Sequence, residues 1–168
     1  MTTRSKLRHG ALAWFEMVGA VMTEAAVRSG LAADLNVSLV ERYTDGAEIG
    51  EGLVQGLRFD IRDGKPGFRA GARPDERADI TIEITAAGAR ALNLLYGDDP
   101  EYALLLDRLL STGQMRIEGD PSQLGGWLKA VHDPIVDRTY RSGCAHLDPL
   151  RASRLRGPGC ASVGRWSA

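Results

Sequence analysis

Apolar residues recur at two periods along this chain, and the switches between them mark its elements. Leu7, Ala11, Trp14, Val18, Met22 and Ala25 return at helical spacing, with Glu16, Thr23 and Arg28 elsewhere on the wheel. This predicts an amphipathic N-terminal helix over residues 5–29, ended by Ser29-Gly30. From Leu35 to Tyr43 the period falls to two, with Leu35, Val37, Leu39 and Glu41 on one side of a first strand. A second runs from Leu53 to Ile61, where Leu57, Phe59 and Ile61 alternate with Arg58 and Asp60. Asp63-Gly64-Lys65 is a hairpin turn, because Asp-Gly accepts positive φ, and Phe68 lies on the returning strand. Ala78 to Thr85 alternates most clearly, with Ile80, Ile82 and Ile84 opposed to Asp79, Thr81 and Glu83.

The C-terminal half mixes short helices with one more strand. Thr85 caps a helix through Ala89, Leu92 and Leu95, which Gly97-Asp98 breaks. Asp99-Pro100-Glu101 starts another, with a cap, a first-turn proline and an acidic first turn. Its residues Leu104, Leu105, Leu106, Leu109 and Leu110 occupy most of the wheel, which predicts a largely buried helix. Gln114 to Gly119 reads as a short strand with Met115 and Ile117 inward. Asp120-Pro121-Ser122-Gln123 opens a last helix with the stripe Leu124, Leu128, Val131 and Ile135, flanked by Trp127 and kinked or split at Pro134. Hairpin-linked strands and grouped helices predict an α+β fold: a mostly antiparallel sheet of four to five strands, covered on one face by helices.

Composition adds limits. With 168 residues, 43 % hydrophobic and 26 % charged, the chain suits a globular domain over residues 1–142 followed by a tail, 143–168. That tail is rich in Gly, Pro, Ser and Arg, the composition of a flexible segment. It carries Arg151, Arg154, Arg156 and Arg165 against Asp148, so the body is the acidic part of a chain of net charge −1. An acidic body argues against nucleic acid as partner, since phosphate binding needs a basic face. No apolar run reaches the length of a membrane span. Two cysteines and the absence of a secretory signal point to the cytoplasm.

Motifs for chemistry are weak. Gly50, Gly52 and Gly56 approach a dinucleotide fingerprint, but a strand follows where a helix N-terminus must hold phosphate, so a turn or bulge is the reading. Cys144, His146, Cys160 and His132 lack zinc-ligand spacing, so no metal is assigned. His132-Asp133 could pair a base with its orienter, yet no motif places a nucleophile beside them, and no catalytic residue or cofactor is assigned. Capping accounts for Asp98-Asp99.

The order Asp79-Ile-Thr-Ile-Glu-Ile-Thr, a Leu-rich helix pair, Gly113-Gln-Met-Arg-Ile-Glu-Gly-Asp120 and a final amphipathic helix resembles the sterol-carrier-protein (type 2) family, over Leu39 to Tyr140. The resemblance implies a tunnel between sheet and helices that takes acyl chains, sterols or quinone-like lipids. The chain ends Arg165-Trp166-Ser167-Ala168 and lacks the Ser-Lys-Leu address of some members, so peroxisomal location is not implied. The strands would contribute Phe59, Phe68, Ile80, Ile82, Met115 and Ile117 to such a pocket. The helices would contribute Trp14, Leu105, Leu109, Trp127, Leu128 and Val131. Arg58, Gln114 and His132 are candidates for polar groups at its mouth. The expected function is binding of a hydrophobic small molecule or lipid as carrier or accessory protein. A small cyclase or isomerase using the same pocket is the alternative, as is a non-catalytic subunit of a biosynthetic complex. A homodimer or a biosynthetic partner protein would also cover the apolar faces.

Overall fold

The computed structural model describes residues 6–141. The tail 143–168, with Cys144, His146 and Cys160, lies outside them.

Strands β1 (Val37–Tyr43), β2 (Glu48–Gly50), β3 (Leu53–Arg62), β4 (Lys65–Ala72), β5 (Ile80–Ile84) and β6 (Met115–Glu118) form one six-stranded sheet. It holds one strand more than the alternation predicts, because β2 is a three-residue hairpin partner of β3 too short to show a period. The order is β2-β3-β1-β5-β6, with β4 also paired to β3. All pairings are antiparallel except β1 with β5, which the crossover after β4 makes parallel. The glycine-rich stretch forms the β2–β3 turn and register shifts, not a phosphate loop. Asp63 and Gly64 both take positive φ, 48° and 68°, as a two-residue hairpin turn requires.

Register fixes which side chains meet. Leu39, Glu41 and Tyr43 of β1 lie opposite Ile80, Ile82 and Ile84 of β5. Ile61, Phe59 and Leu57 of β3 flank β1 on its other side. This row faces α1 (Leu12–Arg28), α2 (Ala86–Leu92), α3 (Pro100–Ser111) and α4 (His132–Arg138). The opposite face carries ion pairs: Arg58 binds Asp60 at 2.8 Å and Glu76 at 3.2 Å, Arg69 binds Glu76, and Arg42 binds Glu83. Val40, opposite Arg58 and Thr81 in register, is buried on this face, as is Thr81.

Three helix expectations change. α1 begins at Leu12, not residue 5, because the backbone of Leu7 pairs with Arg138 and Tyr140 (2.8 and 2.7 Å) in an extended bridge. α3 is mostly exposed: only Leu109 is buried, and Leu104 is 71 % exposed, because the helix packs mainly on α2 and β6, with Tyr102 against His132 of α4. The last helix is broken at Gly125 (φ 91°) into two 3-10 segments, Pro121–Leu124 and Gly126–Val131, before α4. Pro134 sits within the first turn of α4, where its missing N–H costs no bond.

Candidate functional site

The helices do not close completely onto the sheet. Between them lies a cavity of about 760 Å³, open at one side, a volume within the ordinary range of small-molecule pockets. Leu39, Leu57, Ile82, Ile84 and Met115 supply its sheet wall. Trp14, Phe15, Val18 and Met22 of α1 form a second wall, and Ala89, Leu92, Tyr102 and Leu106 of α2 and α3 a third. Leu128, Val131 and Ile135 complete the enclosure.

Each wall has a local cause. Trp14 is held by its indole N–H, which donates to the Thr139 hydroxyl at 2.9 Å, while that hydroxyl donates to the Ile135 carbonyl at 2.8 Å. α2 is set by the Thr85 cap, whose hydroxyl accepts from Gly88 N–H at 3.1 Å. α3 is set by Asp99, whose carboxylate accepts from Glu101 N–H at 2.9 Å. Tyr102 and Leu106 of α3 face the gap.

Polar groups lie at two levels. At the rim, His132 Nε2 donates to the Leu95 carbonyl at 2.9 Å and the Asp133 carboxylate accepts from Gly97 N–H at 2.8 Å. The Asn93 amide donates to the Ala89 carbonyl at 2.9 Å, and Asp98 and Lys129 lie at the exposed edge. On the sheet wall sits Glu41, between Leu57 and Ile82 on neighbouring strands. Burial pushes its carboxyl up from 4.5 to about 7, with no hydrogen bond or cation acting against that shift. Beside it, Tyr43 shares a 3.0 Å hydrogen bond with His9, whose imidazole is pulled down from 6.5 to about 4 by burial and secondarily by Arg90.

Trp14, Ile82, Met115, Leu128 and Val131, five of the expected pocket residues, do line the cavity. Phe59 and Ile80 are inward but fully buried in the core beneath it, and Trp127 packs on Phe59 with ring centroids 5.6 Å apart. Leu109 is buried, and Leu105 packs against the core outside the cavity. Phe68 lies over Gly19 of α1, and Ile117 is at the exposed edge on β6. Of the polar candidates, His132 is at the mouth, Gln114 is exposed, and Arg58 is on the opposite face among its acids. Sequence reasoning placed Glu41 in the inward row but gave it no role; a charged residue within an otherwise apolar period-two row was the available signal. No group of ligating side chains able to hold a metal occurs among the described residues. No described helix is long and apolar enough to cross a membrane.

The sequence matches no protein-family model and no curated protein. Solved structures similar to it include the conserved hypothetical protein TT1886 of Thermus thermophilus, at 15 % identity and TM-score 0.47, covering 82 % of this chain and 95 % of that one. Another is the sterol carrier protein domain 2 of Helicoverpa armigera, at 14 % identity and TM-score 0.41, covering 82 % and 98 %. A third is the sec-alkylsulfatase Pisa1 of Pseudomonas sp., at 18 % identity and TM-score 0.41 over 71 % of this chain, which spans only 16 % of the sulfatase. These are likenesses of fold, and they assign this chain neither ligand nor activity.

Proposed function

We propose that this protein binds a hydrophobic small molecule or lipid, such as an acyl chain, a sterol or a quinone-like compound, as a carrier or accessory protein. The observation that carries the reading is the open cavity of about 760 Å³, whose walls are mainly aliphatic and aromatic with polar groups at the rim and at Glu41. A domain interior is normally filled to crystal-like density, so an open cleft of this size lined mainly by apolar side chains is a place for apolar matter. Each methylene moved from water into such a wall contributes about 0.8 kcal/mol, so a twelve-carbon chain gains on the order of 10 kcal/mol before ordering costs. After those costs, of about 4 kcal/mol or more, a dissociation constant of roughly tens of micromolar or weaker is expected.

Trp14 is in the cavity wall, so its emission reports occupancy. The test uses a Trp127→Phe/Trp166→Phe chain that keeps Trp14 as sole tryptophan, titrated with dodecanol, cholesterol and a short-tailed quinone, and native mass spectrometry of freshly purified protein. A saturable emission change with at least one of them, or a co-purifying lipid mass, is the expected result. Silence from all three with no added mass sinks the reading.

A further inference from the structure

Glu41 is on the middle strand of the sheet, far from either edge, in the row that faces the cavity. Its neighbours across the strands are Leu57 and Ile82, and along the same face of its own strand Leu39 and Tyr43. Glu41 is half-buried, so its carboxyl opens onto the cavity; a carboxyl in such apolar surroundings is retained at a cost, and polar groups there are usually satisfied. Among the described residues the fully buried side-chain polar atom without a hydrogen bond is Trp127 Nε1, outside the cavity wall. The other polar side chains lining the cavity, at its rim, are satisfied. Asn93, His132 and Asp133 each bond a backbone group, and Asp98 and Lys129 are exposed at the rim. Among the described residues, Glu41 has no hydrogen bond or ion pair, and the Tyr102 hydroxyl, also in the wall, has no hydrogen bond. The Tyr102 phenol is close enough to be pushed up by the Glu41 charge, after the larger effect of its own burial. Two groups that lack protein partners therefore face the same space.

We infer that Glu41 is the polar end of the cavity and that the ligand is an uncharged lipid bearing a hydroxyl, which donates to Glu41 and accepts from the Tyr102 phenol. This rests on the lipid-binding reading above and narrows it. A hydroxyl suits both groups at once, being donor and acceptor. A fatty-acid anion does not: the acids of the wall are Glu41, Asp98 and Asp133, and the one ammonium, Lys129, is at the rim. A second carboxylate brought to Glu41 would meet like charge in a site of low dielectric. A long-chain ammonium would pair with Glu41 but offers no acceptor for the Tyr102 O–H.

The titratable groups that feel the Glu41 charge are Tyr43 on its own strand and Tyr102 on α3; His9, itself under the influence of Arg90, bonds Tyr43, and His132, Asp133, Lys129 and Asp98 line the same cavity, while β3, β5, β6 and α1 contribute Leu57, Ile82, Met115 and Trp14. The test is titration of full-length protein with dodecanol, dodecanoate and dodecylamine at about pH 5.5 and about pH 8, on either side of the Glu41 transition. Dodecanol should bind about tenfold tighter than dodecanoate at the higher pH, and the gap should narrow at the lower, where a protonated Glu41 no longer repels an anion. Glu41→Gln should abolish the pH-dependence of dodecanoate binding, while Glu41→Leu should weaken dodecanol about tenfold. Melting and circular dichroism of both variants confirm folding. Dodecanoate or dodecylamine binding tighter than dodecanol at the higher pH, or a pH-dependence that survives in Glu41→Gln, overturns the inference while leaving the lipid reading intact. Equal affinity for all three probes does the same. Failure of every probe in wild type removes both.

Discussion

At the scale of the residue, Glu41 and His9 work against each other. Below its ordinary 4.5 the Glu41 carboxyl is neutral folded or unfolded, and between 4.5 and about 7 only the folded chain holds the proton. Stability therefore falls as pH rises through that interval, by an amount on the order of 3 kcal/mol, and stays lowered above it. His9 does the reverse: between about 4 and 6.5 the unfolded chain takes up a proton that the folded chain refuses, so stability rises with pH. The two slopes overlap and offset. Glu41→Gln should expose the His9 slope, giving a melting temperature that climbs from about pH 4.5 to about pH 6.5 where wild type is nearly flat. Above pH 7 the variant should be the more stable by about 1–3 kcal/mol. Urea unfolding across this range decides it, and parallel curves for the two proteins would remove Glu41 as a source of pH-dependence. Period two was enough to put Glu41 in the inward row, but its lack of a partner depends on which helices arch over it. The same limit applies to Glu83. Alternation marks it as wet, whereas in the folded chain it is clamped by Arg42 and sits 3.6 Å from Arg77.

At the scale of the element, local chemistry was legible wherever a side chain acts on its own neighbours. Thr85 and Asp99 cap the helices that follow them, and Asp63-Gly64 makes its turn, because each needs only a few adjacent backbone groups. Legibility ended where an element's fate depends on what lies opposite. The leucines of α3 suggested a buried helix, yet it meets protein on one side only. Gly125-Gly126 outweighed the stripe from Leu124 to Ile135, since an apolar stripe states a preferred face and not an unbroken axis. Gly19 is a further case. It lies in the middle of α1, where glycine costs roughly 1 kcal/mol against alanine. A Cβ there would fall 2.2 Å from Cδ2 of Phe68 on β4, so the glycine is what lets that ring lie on the helix. Gly19→Ala should cost about 1–2 kcal/mol despite its better propensity, because Phe68 must move. In a Phe68→Ala background the same change should become stabilising by about 0.5–1 kcal/mol. A double-mutant cycle by chemical denaturation measures the coupling, and additive effects would show that the ring does not depend on Gly19.

At the scale of the whole molecule, the fold is a layered sheet whose two faces solve burial differently. One face is roofed by helices; the other is sealed by arginines and acids lying across it. The α+β class and the helix-covered face followed from periodicity and element order, but the cavity did not. No periodicity distinguishes an inward residue touching core from one facing a void. Ile80 and Ile82 show this most directly. They are two positions apart on one face of β5, paired in register with Leu39 and Glu41. Ile80 is 0 % exposed in packed core, whereas Ile82 is in the cavity wall. Added volume should therefore have opposite consequences at the two sites. Ile80→Phe has nowhere to put its ring and should lose about 1–3 kcal/mol of stability. Ile82→Phe can extend into empty space, so its unfolding free energy should change by less than about 1 kcal/mol. The ring would then occupy volume that the proposed ligand needs, and dodecanol affinity should fall by about tenfold or more. Urea denaturation and ligand titration of both variants make the comparison. If Ile82→Phe proves as destabilising as Ile80→Phe, the space beside Ile82 is already filled in solution, and the helices close further onto the sheet than the cavity requires.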